Sequence, residues 1–344
     1  MKRIADNLML RSLLFLGFIL MAGIQVAGQD EYLASSRYDY YTTEQEAEIM
    51  VWAPVDRGNA ALSVELTMAG QATMGRHVIE AGIINRFKLP LKEFNPGENE
   101  LTLSYYENEK PVGSEEISVI IREHQYNAVK IDRMSGGLIV EGLPFYPFGF
   151  YTYSPVQEGL PAEEVVKGFN MISPYQKIEG KTLKERKAYM DRCAALGMKV
   201  NYNLLSVAGG GGVGSGRHEG LSRSKRMKLL RKEVEAFRDH PALLSWYISD
   251  EPVGQGVPPD SLVKAYALIK ELDPYHPVSV VFMTPSMAEE YSHVMDIVMA
   301  DPYPIPHGSV EEVGETAAML HKTFFLKKPV WIVPQAFGGN EWWK

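Results

Sequence analysis

The sequence predicts an α/β fold in two parts, an all-β segment followed by repeating strand–helix units. Three observations predict it. Between Glu31 and Glu123, short runs of alternating or β-branched and aromatic residues recur between turn signals, and helical periodicity is weak. From Tyr126 onward, strand and helix patterns alternate, which favours a parallel sheet with right-handed crossovers. The 344 residues, 45% hydrophobic and 23% charged, are enough for two ordinary packed cores.

The N-terminus reads as an export signal. Lys2, Arg3 and Arg11 supply positive charge ahead of the apolar run 13–22, which is shorter than the ~20 residues a bilayer span needs. Val26 and Gly28 suit the small positions before a cleavage between Gly28 and Gln29. A signal peptide over 1–28 is therefore expected, and with it a secreted or periplasmic location. An uncleaved N-terminal anchor is the alternative. Cys193 is the only cysteine, so an internal disulfide is excluded. Its place beside Met190 and Leu196 in a helical pattern reads as a small buried hydrophobe.

Residues 29–125 form the expected β-sandwich domain. Strands are predicted at 48–52, 62–68, 76–80, 85–91, 98–106 and 116–122, with Asn95-Pro96-Gly97 as the turn before the fifth. That density of short strands suggests an immunoglobulin-like sandwich.

Residues 126–344 form the second domain. A hairpin is expected at 131–134 and 138–140 around Ser135-Gly136-Gly137, followed by a buried strand at 147–151. Helices then read at 162–169, 183–196, 222–238, 260–272 and 310–325. Strands read at 170–173, 199–204, 243–249, 278–282, 296–300 and 330–333. Seven parallel strands can be counted, one short of the eight of a closed barrel. The expectation is an incomplete (β/α)8 TIM barrel, lacking its last strand because the chain is truncated. An open doubly wound sheet is the alternative.

The fourth strand of this series carries the chemistry: Leu243-Leu244-Ser245-Trp246-Tyr247-Ile248-Ser249-Asp250-Glu251-Pro252. Strict alternation puts Leu244, Trp246 and Ile248 on the helix side and Ser245, Tyr247, Ser249 and Glu251 on the inner side. Glu251 then stands at the carboxyl end of its strand, where barrel enzymes keep catalytic groups.

This strand, ending in Asp-Glu-Pro, resembles the clan of retaining glycoside hydrolases built on (β/α)8 barrels. The segment 142–149 before the first strand and Asp301-Pro302-Tyr303-Pro304 after the sixth resemble it too. The likeness covers most of residues 127 to 337. It implies an O-glycosyl hydrolase acting on a poly- or oligosaccharide, with Glu251 as general acid/base and Asp250 in place of the Asn that contacts the sugar 2-hydroxyl. It also implies that Tyr303 touches the nucleophile. The clan's nucleophile is a Glu at the end of strand seven, and the matching residue here is Gln335, an amide that cannot attack as a carboxylate. The second carboxylate is then Asp301, or Glu341 from the following loop, or a group beyond the chain, or none. Further substrate-binding candidates at the strand ends are Tyr151, Tyr153, Asn201, Asn203, Tyr303, Gln335 and Trp331.

The net charge of −8 argues against a nucleic-acid partner. The expected partner is a carbohydrate substrate, with no cofactor, no metal and no membrane contact beyond the signal peptide. Metal motifs such as His-Glu-x-x-His and paired Cys-x-x-Cys do not occur, nor does a Gly-x-Ser-x-Gly elbow. Gly209, Gly211 and Gly214 match a dinucleotide fingerprint formally, but the next helix starts too late, near Ser222. A loop over the strand ends, with His218 as a contact, fits better. The basic run 222–232 has Met227, Leu230 and Val234 at helical spacing and reads as the solvated face of an outer helix. A non-catalytic carbohydrate-binding protein on the same scaffold is the alternative function, and an adhesive surface protein a third.

Overall fold

The computed structural model describes residues 31–69, 73–211 and 221–338. The expected signal peptide, His218 and Glu341 lie outside the described residues. In the first part, strands β1 (Leu33–Ser36), β2 (Glu46–Trp52), β3 (Leu62–Met68), β4 (Thr73–Ile79), β5 (Ile84–Pro90), β6 (Gly97–Glu107) and β7 (Lys110–Ile121) follow one another. They form two antiparallel sheets, ordered β1-β2-β5 and β4-β3-β6-β7. Alternation decides the inward faces: Leu101, Leu103 and Tyr105 of β6 are buried, while Glu98 and Glu100 before them are exposed and Thr102 and Ser104 between them half-buried. These rings and branches meet Ile49 and Val51 of β2 and Val64 and Leu66 of β3 in one core. The predicted Asn95-Pro96-Gly97 turn is closed by Asn99. Its Oδ1 accepts from Asn95 N–H at 2.9 Å, and its Nδ2 donates to the Asn95 carbonyl at 2.8 Å.

A small antiparallel sheet follows, β8 (Val129–Asp132), β9 (Gly137–Val140) and β10 (Leu143–Phe145), in the order β10-β9-β8. Then come β11 (Gly149–Tyr153), α1 (Leu160–Val165), β12 (Met171–Tyr175), α2 (Leu183–Ala195), β13 (Lys199–Asn203), α3 (Leu205–Ala208) and α4 (Arg223–Phe237). The run ends with β14 (Leu243–Asp250), α5 (Asp260–Leu272), β15 (Val278–Phe282), β16 (Ile297–Ala300), α6 (Glu312–Thr323) and β17 (Val330–Ile332). Strands β11 to β17 pair in sequence order into one curled, seven-stranded parallel sheet.

Each face of this sheet has its own filling. On the outer face Trp246, Ile248 and Phe282 pack against Tyr189, Val234, Phe237 and Leu262 of the helices. Cys193 lies in this layer, fully buried, and burial pushes its thiol up to about 12, as befits a small hydrophobe. One ion pair is buried between helices: Arg186 donates to both carboxylate oxygens of Glu233, at 2.6 and 2.8 Å, and Tyr202 donates to the same Glu233.

The inner face is closed where the strands begin. Val129, Ile131, Leu138 and Val140 of the small sheet pack on Met171, Leu244, Ile297 and Met299. Above that apolar plug lies a polar layer. Asn201 Oδ1 accepts from Ser245 at 2.8 Å and from Ser279 at 3.1 Å.

The strict alternation expected for β14 does not hold. Its pairing with β13 skips Leu244, and its pairing with β15 skips Ile248. A bulge adds one unpaired residue and reverses the facing of the residues beyond it. Leu244 accordingly sits on the inner face rather than beside Trp246 and Ile248, and Asp250 also turns inward.

The two parts meet through several contacts. The Tyr40 hydroxyl donates to the carbonyls of Val129 and Tyr275, both at 3.2 Å. Arg37 holds Asp132 with two hydrogen bonds, and Trp52 meets Phe325 edge-on with centroids 5.4 Å apart. Among the described residues no helix is long and apolar enough to cross a membrane.

Candidate active site at the carboxyl ends of the parallel strands

Asp250 is the last residue of β14, Glu251 follows it, and Asp301 follows β16. Asp250 is buried and accepts from two phenols, Tyr247 at 2.7 Å and Tyr175 at 3.2 Å. Burial pushes its carboxyl up to about 6, against the pull of the Tyr247 hydrogen bond. Glu251 adopts a left-handed backbone, φ 46°, which costs a non-glycine residue roughly 1–2 kcal/mol. Two backbone hydrogen bonds hold it there, from Glu251 N–H to Val281 at 3.0 Å and from Gln255 N–H to Glu251, also at 3.0 Å. Its half-buried side chain neighbours Asp301 closely enough to influence that carboxyl.

Asp301 is only 5% exposed. Burial first, then the neighbouring Glu251 and Asp250, push its carboxyl up to about 8, so it is largely protonated at neutral pH. Tyr303 lies close on the same chain segment, its phenol raised by burial and by Asp301.

Buried polar atoms without a protein partner are free to bond to a bound molecule or to water. Asp301 Oδ1, Tyr151 Oη and Asn203 Nδ2 are such atoms, with no hydrogen-bond partner among the described residues. They stand at or near the carboxyl ends of β16, β11 and β13. Together they offer both donors and acceptors to a polyhydroxylated molecule.

One edge of the site is aromatic. Tyr151 stacks on Tyr175, centroids 5.0 Å apart, and Tyr153 lies tilted over Tyr175 at 5.8 Å. Tyr153 is 59% exposed, so its ring is open to a ligand.

The other expected residues are placed differently. Asn201 belongs to the buried polar layer below the site. Trp331 packs from β17 against the inner cluster. Gln335 has its amide occupied: it accepts from Ile305 N–H at 3.1 Å and donates to the carbonyls of Ile305 and Phe337 at 3.0 and 3.1 Å. It clamps the loop after β16 rather than facing the carboxyl pair through a free group.

The sequence does not single out Tyr175, because Pro174 reads as the end of its strand. In the fold Pro174 pairs opposite Thr152 and the strand runs on to Tyr175. Tyr247 reads as an inner-face residue, but nothing in the sequence marks it as the donor to Asp250.

No family model matches the chain, and no curated protein does. Solved structures show a distant likeness. A β-glucuronidase from an uncultured Clostridium superposes at TM-score 0.45 and 14% identity, over 86% of this chain and 52% of its own. A family GH2 β-galacturonidase of Eisenbergiella tayi gives 0.43 and 16%, over 87% and 56%. A putative β-galactosidase of Bacteroides fragilis gives 0.43 and 12%, over 87% and 46%. The chain spans about half the length of these proteins. At these scores the likeness carries no argument, and the chemistry rests on the residues just described. Among those residues no cluster of three or more His, Cys, Asp or Glu is disposed to hold a metal ion.

Proposed function

We propose that the chain is an exported glycoside hydrolase in which Glu251 and Asp301 form the working carboxyl pair. It would comprise a sandwich domain near 29–125 and an incomplete barrel thereafter. The proximity of the Glu251 and Asp301 carboxyls, beside unpartnered polar atoms at the strand ends, is the observation that supports this reading.

In this reading the pair holds one proton at neutral pH. Asp301 lies deeper and keeps it at rest, while the more accessible Glu251 delivers it to the oxygen that links the sugar to its leaving group. The anomeric carbon–oxygen bond breaks as the proton arrives. The freed Asp301 carboxylate bonds to the anomeric carbon. Water then displaces it, losing its proton to Glu251, and the original pair is restored. The closeness of Glu251 to Asp301 favours retention, for which the two carboxyls stand about 5–5.5 Å apart. The tyrosines and Asn203 hold the sugar's hydroxyls, with Asp250 as an acceptor.

The test is turnover of a panel of nitrophenyl glycosides by the full chain, with product configuration read by NMR. Glu251→Gln and Asp301→Asn should each lower kcat by about 10²–10⁴ while folding and sugar binding persist. Turnover left unchanged in both variants would overturn the proposal. A second reading, a carbohydrate-binding protein without turnover, is favoured by Gln335, which matches the clan's nucleophile in sequence but carries an amide engaged with the Ile305 and Phe337 backbone. Sugar binding with no turnover on any glycoside would select it.

A further inference from the structure

Between α4 and α5 lies a cavity of about 280 Å³. Among the described residues its lining includes Arg223 and Arg226 of α4, Ser261 and Lys264 of α5, and Ser206 of α3. It is distinct from the candidate active site, since Asp250, Glu251 and Asp301 do not line it.

Three cationic side chains from two helices thus converge on one cavity. Like charges brought together repel, and an anion placed among them turns that repulsion into attraction. The start of α4 adds to the effect. Arg223, Lys225 and Arg226 stand in its first turn, which carries no acidic residue. The helix dipole is positive there, so it disfavours these cations and favours a bound anion. Neutral donors are also at hand. Ser206 is only 2% exposed, and its Oγ accepts from Ile178 N–H at 3.1 Å, which leaves its own proton to donate. Ser261 brings a second hydroxyl to the lining. An arginine fork matches two oxygens of a tetrahedral oxyanion, and lysine adds a point charge.

We propose that this cavity is a second ligand site, for a sulfate or phosphate group held by Arg223, Arg226 and Lys264 with the Ser206 and Ser261 hydroxyls as neutral donors. The group is either a free ion or an ester on a sugar. At about 30 Å³ per water, the cavity has space for several waters' volume, so a sugar that bears the group fits as well as the bare ion. Binding here needs no turnover at Glu251 and Asp301.

Calorimetry on the full chain at pH 7 tests this with inorganic sulfate, inorganic phosphate, glucose 6-sulfate and glucose 6-phosphate, at one ionic strength set by sodium chloride. At least one of the four should bind with a Kd below about 1 mM. Arg226→Gln on α4 and Lys264→Gln on α5 should each weaken that binding about tenfold or more. Two helices are probed, so a folding defect in one variant leaves the other to decide. Lys264→Arg, which keeps the charge, should stay within about threefold of the parent. Lys232→Gln, exposed on the same α4 but not in the lining, should change nothing. Esters that bind more tightly than the free ions identify a sugar-borne group, and equal affinities identify the ion itself. Either result supports the site. Failure of all four to bind overturns the inference. So does binding that both glutamine variants in the lining leave intact, or that Lys232→Gln weakens as much as they do.

Discussion

The hydroxyl of Tyr247 donates a 2.7 Å hydrogen bond to Asp250, three residues further along the same strand. In a regular strand such residues point to opposite faces. The unpaired Ile248 between them reverses the facing, so both look inward. The local irregularity of β14 is therefore what assembles this half of the site.

Removing that donor should make Asp250 harder to ionise. Tyr247→Phe deletes the stronger of the two hydrogen bonds that stabilise the carboxylate, leaving Tyr175 alone against burial and Glu251, which raise its pKa. Carboxyl-carbon NMR titration of Asp250 should show a midpoint above about 6. A midpoint at or below that of the parent protein would contradict the assignment.

Asp301→Asn should stabilise the fold at alkaline pH. The folded chain keeps the Asp301 proton up to about 8, whereas the unfolded chain loses it near pH 4. Folded molecules thus bind more protons across that window, and stability falls as pH rises through it. The variant lacks this dependence. Its advantage over the parent should grow from pH 4 to pH 8, as read by denaturant melts at each pH.

Breaking the buried Arg186–Glu233 pair should be costly. Glu233→Ala leaves a buried guanidinium and the Tyr202 hydroxyl without their acceptor. A loss of about 3–5 kcal/mol is expected in urea unfolding, with little change in ligand binding because the pair lies among the outer helices.

Phe325→Ala should loosen the junction between the two parts. Phe325 is buried against Trp52, with Met50 and Leu326 alongside. The cavity should cost about 3–5 kcal/mol. Trp52 fluorescence should then shift to the red before global unfolding.

Much of this architecture can be read from periodicity. The seven parallel strands and the outer helices follow from buried β-branched runs alternating with amphipathic stretches, and α5 occupies the span read for it. The remainder is set by features that periodicity does not encode. β1 and β10 are only a few residues long and lie at sheet edges, so little pattern marks them. The bulges in β14 are set by neighbouring strands, and the inward turn of Asp250 does not follow from alternation. Asp301, Tyr151 and Asn203 read as strand-end candidates, and each carries an unpartnered buried atom in the fold. Tyr175 is hidden behind Pro174, where a local rule about proline yields to tertiary pairing.

Gly210 pairs with Ser249, just before the Asp-Glu step, and its carbonyl accepts from the Ser249 hydroxyl at 2.8 Å. A β-carbon at this glycine would overlap the backbone of Ile248 and Ser249. The aim of Glu251 is consequently hostage to a residue that has no side chain and no chemistry of its own. Enlarging Gly210 by one methyl group would shove the strand end sideways and pull apart two acids that it never touches.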